Sequence, residues 1–186
     1  MKYIYTTFLF LMLCLRVSAQ TTIDMAGTSV LNETKNGQYY TKDINNYMQP
    51  YVGTWRYIDS DNEFRISLAK ITMDHVVFPG ANIDYYTDDL TIQYQKYENG
   101  VLIFNSSVKK GASVIKEFGK LQISFTDYQR NDSSFSLDLK LVSTGVNEHN
   151  KLKFELSKFE TKNTYHDQHP NEPYFSVPNN IEMTKM

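Results

Sequence analysis

The stretch "LQISFTDYQRNDSSFSLDLKLV" (121–142) decides the fold. Leu121, Ile123 and Phe125 alternate with Gln122, Ser124 and Thr126. After the polar break "RNDSS" (130–134), Phe135, Leu137, Leu139 and Leu141 alternate with Ser136, Asp138 and Lys140. A period of two turns one face of each segment to a core and the other to water. The break is made of residues that accept turn conformations. Two such strands, adjacent in sequence, pair antiparallel.

The same rhythm extends outward in both directions. Phe64, Ile66 and Leu68 alternate with Arg65, Ser67 and Ala69; Leu90, Ile92 and Tyr94 with Thr91, Gln93 and Gln95; Leu152, Phe154 and Leu156 with Lys153, Glu155 and Ser157. The turn signals "DSDN" (59–62), "ENG" (98–100) and "GVNEHN" (145–150) separate these runs. Asn99-Gly100 marks a tight hairpin, because both residues tolerate positive φ. Strands are predicted at 52–58, 63–72, 75–78, 89–98, 101–108, 120–128, 134–143, 151–160 and 180–185. No sustained 3.6-residue period competes with them. The expected fold is all-β: a single antiparallel up-and-down β-barrel of about eight to nine strands.

The 186 residues divide into three parts. Residues 1–19 have a charged start at Lys2, an apolar stretch from Ile4 to Leu15 and the small residues Ser18 and Ala19. They read as a secretory signal peptide. Their apolar stretch falls short of the about 20 residues of a membrane span. A lipid anchor at Cys14 is disfavoured by the large Leu13 in front of it. Export to the periplasm or the extracellular space is therefore expected. Residues 20–50 are an irregular polar lead-in, with one helical turn at 43–48 capped by Asp43 and ended by Pro50. Residues 51–186 form the barrel domain.

Loss of 1–19 takes Lys2 and Arg16, so the 19 Lys and Arg become 17 against 21 Asp and Glu, a net charge of −4. A mildly acidic chain without a basic run is a poor partner for nucleic acid. The mature chain holds no cysteine, which excludes disulfides and thiol chemistry. No stable membrane span is expected in it.

Gly53-Thr54-Trp55 at the first core strand resembles the opening motif of lipocalins and other calycins. The resemblance implies an indole covering one end of a barrel, with a late-strand arginine stacked over it. The last strand here offers Lys185 in that place. A longer match joins "GQYYTKDINNYMQPYVGTWRY" (37–57), "NEFRISLAKI" (62–71) and "VPNNIEMTKM" (177–186). It resembles an uncharacterised family of small exported bacterial proteins, a domain of unknown function. That likeness implies export and a lipocalin-like fold, and no activity.

Candidate chemistry is sparse. His166-Asp167-Gln168-His169 supplies two imidazoles where zinc needs three or four ligands, so a solvated loop within 161–179 is the preferred reading. "DSDNE" (59–63) lacks the glycine and distal glutamate of a calcium loop and reads as a hairpin turn. Tyr85-Tyr86-Thr87-Asp88-Asp89 has the aromatic and carboxylate groups that bind sugars, but reads first as a loop before the strand at 89–98. No nucleophile is paired with a base, so an enzyme is not expected, nor any cofactor. Fourteen tyrosines, several near the opening motif, suit a rim or an interface.

Two functions remain open at this level. A barrel mouth could bind a small apolar ligand, carried by Phe64, Ile66, Ile92, Phe125 and Phe154, with Trp55 closing the opposite end. Alternatively, the barrel is solid and meets an envelope protein through its surface.

Overall fold

The computed structural model describes residues 20–26, 36–143, 150–158 and 164–186. The expected signal peptide and Cys14 lie outside the described residues. The chain is all-β, and its strands form one twelve-stranded sheet. These are β1 (Thr21–Asp24), β2 (Tyr39–Lys42), β3 (Gly53–Asp59), β4 (Asn62–Phe78), β5 (Ile83–Glu98), β6 (Val101–Asn105), β7 (Lys109–Lys110), β8 (Val114–Glu117), β9 (Lys120–Asp127), β10 (Ser133–Val142), β11 (Lys151–Ser157) and β12 (Ile181–Lys185). Along the sheet the order is β1-β2-β5-β4-β3-β12-β11-β10-β9-β8, with β6 and β7 on β5.

The central path from β5 through β3 and β12 to β9 is antiparallel throughout, as alternation and short turns dictate. Asn99 and Gly100 take φ of 50° and 75° in the β5–β6 turn, as the Asn-Gly pair predicts. Four corrections follow. Among the described residues the strands number twelve rather than eight or nine. The ladder is not closed. The lead-in is not irregular, since it supplies β1 and β2; these pair parallel to each other, and β2 pairs parallel to β5. Two more strands missed in sequence, β7 and β8, pair with β5 and β9.

Between β5 and β9 two backbone bonds stand where a ladder would be. The Gly111 amide donates to the Leu90 carbonyl at 2.7 Å, and the Ser124 amide donates to the Gly111 carbonyl at 2.5 Å. Only glycine fits there: a Cβ would sit 2.8 Å from the Leu90 carbonyl oxygen and 3.2 Å from Ile123 Cβ.

The two predicted strands 63–72 and 75–78 are one strand, β4, interrupted by a bulge. Its register with β5 shifts between Ile71 and Asp74, and Met73 takes φ of 53°. One extra residue reverses which positions face the core. Phe64, Ile66 and Leu68 point inward, opposite the strand that buries Leu90, Ile92 and Tyr94. Beyond the bulge, Asp74 lies across from Thr87 and Val76 across from Tyr85, on the other face of β5. The far half of the β4–β5 hairpin thus turns even-numbered β4 residues outward.

One apolar core gathers the inward positions of β3–β5 and β9–β12. Met48 and Tyr51 join it at the Gly53 end of the strands. At the other end Val177 joins it, and Tyr174 and Phe175 pack against it. The expected long loop 161–179 therefore includes a cover, and also a short helix α1 (Thr164–Gln168).

Candidate functional site

The six residues expected to bind a ligand are brought together in the buried core. Trp55, Phe64, Ile66, Ile92, Phe125 and Phe154 are between 0 and 4% exposed. The Phe154 ring meets Phe64 edge-on at 5.5 Å and Phe125 at 5.9 Å between centroids. Tyr94 fills the space beside Phe125 at 5.1 Å. Of the six, Phe64 alone touches an open cleft described below.

Both ends are tied shut by carboxylates. At the Gly53 end, Asp43 accepts hydrogen bonds from the Tyr47 and Met48 amides at 2.7 and 3.0 Å and from Lys70 Nζ at 2.8 Å. Asp88 accepts from the Tyr40 hydroxyl and, at 3.0 Å, from the Asp43 amide. Burial and this carboxylate push the Tyr40 phenol up to about 12. The helical turn expected at 43–48 is a carboxylate-held turn leading into a 3₁₀ turn at Gln49–Tyr51. At the other end Asp127 accepts from the Ser176 hydroxyl and, at 2.7 Å, from its amide. Arg130 donates to the Pro173 carbonyl at 3.1 and 3.2 Å. Lys96 donates to the Ser176 carbonyl at 2.8 Å, and burial pushes its pKa down. Buried carboxylates satisfied by backbone amides hold these segments in place as clips.

Trp55 is fully buried, and its Nε1 donates to the Tyr51 carbonyl at 2.8 Å. Lys185 Nζ lies 5.2 Å from the indole centroid and donates to the Pro50 carbonyl at 3.2 Å. Gly53, at φ of 130°, leaves room for the lysine stem, whose Cε would lie 3.1 Å from a Cβ there.

The described histidines are engaged singly. His75 stacks on Tyr86 at 4.5 Å and meets Asp84 at 2.8 Å; His169 stacks on Tyr165 at 4.3 Å; His166 packs on Tyr174 at 4.8 Å. Among the described residues no three potential metal ligands come together.

Two open clefts stand out among the described residues. One, of about 330 Å³, lies beside the β3–β4 turn and includes Tyr57, Phe64, Lys96, Ile103 and Ser176. The other, of about 460 Å³, lies between the outward face of the β4–β5 hairpin and the segment 110–114. Its apolar wall is Val76, Phe78 and Val114, with Tyr85 across from Val76. Lys110 Nζ donates to Asp74 Oδ1 at 2.6 Å over the cleft. Asp89 is held in the wall, accepting from the Ala112 and Ser113 amides at 3.0 and 2.8 Å. Burial, with Asp89 and Asp74 nearby, pushes the Tyr85 phenol up. Residues 85–89 are thus strand, not loop. Alternation sends Tyr85, Thr87 and Asp89 to the cleft and Tyr86 away from it. Asp74 and Lys110 carried no local sequence signal toward each other.

A family model described as a family of unknown function (DUF6705) matches residues 1–109. The chain belongs to that family. The matched stretch includes the Gly53-Thr54-Trp55 motif, and "VPNNIEMTKM" lies beyond it. No curated protein and no solved structure matches the chain.

Proposed function

We propose that this DUF6705 member is an exported, lipocalin-like barrel domain of the bacterial cell envelope. It acts as a non-catalytic interaction module, through its surface and without an interior ligand cavity. One observation carries this reading: the interior is occupied by interlocked aromatic and aliphatic side chains, and both ends are covered by the chain's own segments. A carrier needs a vacant, largely apolar pocket.

Lipocalin-like closure is supported by the Gly53-Thr54-Trp55 motif, by Lys185 over the indole and by the two bonds at Gly111. Export is supported by the charged, apolar and small-residue order of residues 1–19. A partner protein is supported by β6, which pairs only with β5 among the described strands. It exposes Val101, Leu102 and Ile103 in a row. Apolar edges left open are sites of strand addition.

A photo-crosslinking residue at Leu102 tests the reading in the host cell. It is expected to capture a discrete envelope protein, whereas one at Gln122 captures none. Saturable, stoichiometric uptake of an apolar fluorescent dye by the native protein, with no adduct at Leu102, overturns it.

A further inference from the structure

The cleft between the β4–β5 hairpin and 110–114 has chemistry that the closed interior lacks. We propose that it binds a neutral sugar ring of a glycan, with Tyr85 and the Val76–Phe78 wall against the ring and the Asp74–Lys110 pair on its hydroxyls. This rests on the reading that the domain acts through its surface.

Placement comes from the bulge. Without the extra residue at 71–74, Asp74 and Val76 would face the core side of the sheet. With it, they stand directly across from Thr87 and Tyr85 on the outer face. Lys110 reaches the same face from β7, which pairs Lys110 with Thr91. An aromatic ring, an aliphatic wall and a carboxylate–ammonium pair therefore border one cleft of about 460 Å³, within the usual range for ligand sites of about 300–1,000 Å³.

Ligand class follows from the polar groups left over. Asp89 is saturated by the Ala112, Ser113 and Leu90 amides, and Thr87 Oγ1 donates to the Asp88 carbonyl. Among the described residues, the Tyr85 hydroxyl and Asp74 Oδ2 have no hydrogen-bond partner, and Lys110 spends one N–H on Asp74. An acceptor, a donor and a hydroxyl that is both thus remain side by side. Vicinal hydroxyls, each donor and acceptor, match that set. A wholly apolar ligand would strip water from the Asp74–Lys110 pair without replacing its hydrogen bonds. A charged ligand would find the pair already neutralised. The apolar C–H face of a sugar suits the wall.

The test uses the full chain and a panel of neutral gluco-, xylo- and N-acetylglucosamine hexaoses, read by saturation-transfer NMR and calorimetry. At least one hexaose is expected to saturate, with the strongest transfer on a single ring. Tyr85→Ala and Asp74→Asn are each expected to weaken it about tenfold, roughly 1.4 kcal/mol. Their unfolding midpoints should stay with that of Lys116→Gln, a substitution away from the cleft. No saturation by any hexaose at about 10 mM, or saturation unchanged in both variants, overturns the proposal. Dye exclusion from the interior is scored on the same samples. It can stand while the sugar site falls, so the two failures are told apart.

Discussion

Lys185 Nζ sits 5.2 Å above the centroid of Trp55 while donating to the Pro50 carbonyl at 3.2 Å. The last strand thereby locks the first core strand and the turn before it with one cation. A cation over an indole is worth about 0.5–1 kcal/mol at partly exposed sites, and the bond to the carbonyl adds to it.

Lys185→Met is expected to lower unfolding free energy by about 1–2 kcal/mol. Lys185→Arg is expected to retain most of it. Urea unfolding followed by the fluorescence of Trp55, the chain's one tryptophan, measures both. Equal losses in the two variants would show that the charge over the ring contributes nothing.

Gly111→Ala places a methyl 2.8 Å from the Leu90 carbonyl oxygen. Backbone cannot move aside as a flexible side chain can. A loss of about 1–3 kcal/mol is expected, with faster hydrogen exchange at the Gly111 and Ser124 amides. Wild-type exchange at Ser124 in the variant would mean that the link between β5 and β9 survives.

Alkaline pH should unfold the protein through its tyrosines. The Tyr40 phenol is raised from 10.0 to about 12 by burial and the hydrogen bond to Asp88. Its contribution is complete below the unfolded value of 10.0 and is lost as pH rises through about 12. Tyr51 and Tyr94, raised by burial, act in the same direction. Lys96, lowered by burial, acts oppositely, so its penalty fades as pH approaches 10.5. Tyr40→Phe is expected to be less stable at pH 8, with the gap to wild type narrowing above pH 10. Parallel stability curves across that range would exclude the assignment.

Phe154→Ala removes a ring that two other phenylalanine rings meet edge-on. It is expected to cost about 3–5 kcal/mol and to open an apolar cavity that takes up a dye which wild type excludes. A wild type that takes up dye as readily as the variant would mean that the interior is not filled.

The core was legible because it is written in a local code. Each of Phe64, Ile66, Ile92, Phe125 and Phe154 sits in a period-two run, and each is buried. What failed to read depends on distant partners. The strands β1 and β2 are short and polar, and β2 is held by the Tyr86–Thr87 stretch of the long strand β5, which offers it an edge. The bulge at Met73 broke the alternation and split one strand into two in the sequence reading. The lysine that completes the cleft lies 36 residues from its aspartate, on another strand. In one dimension an inward apolar run reads the same whether it fills a core or lines a pocket.

Strand β12 slots between β3 and β11, so residue 185 finds its contact 135 positions back, at Pro50. A growing polypeptide emerges from the ribosome in order, and here the element that seats Trp55 comes out long after the indole itself. No early portion of the chain can complete this sheet by itself. The first core strand must therefore wait for β12 before its indole is sealed.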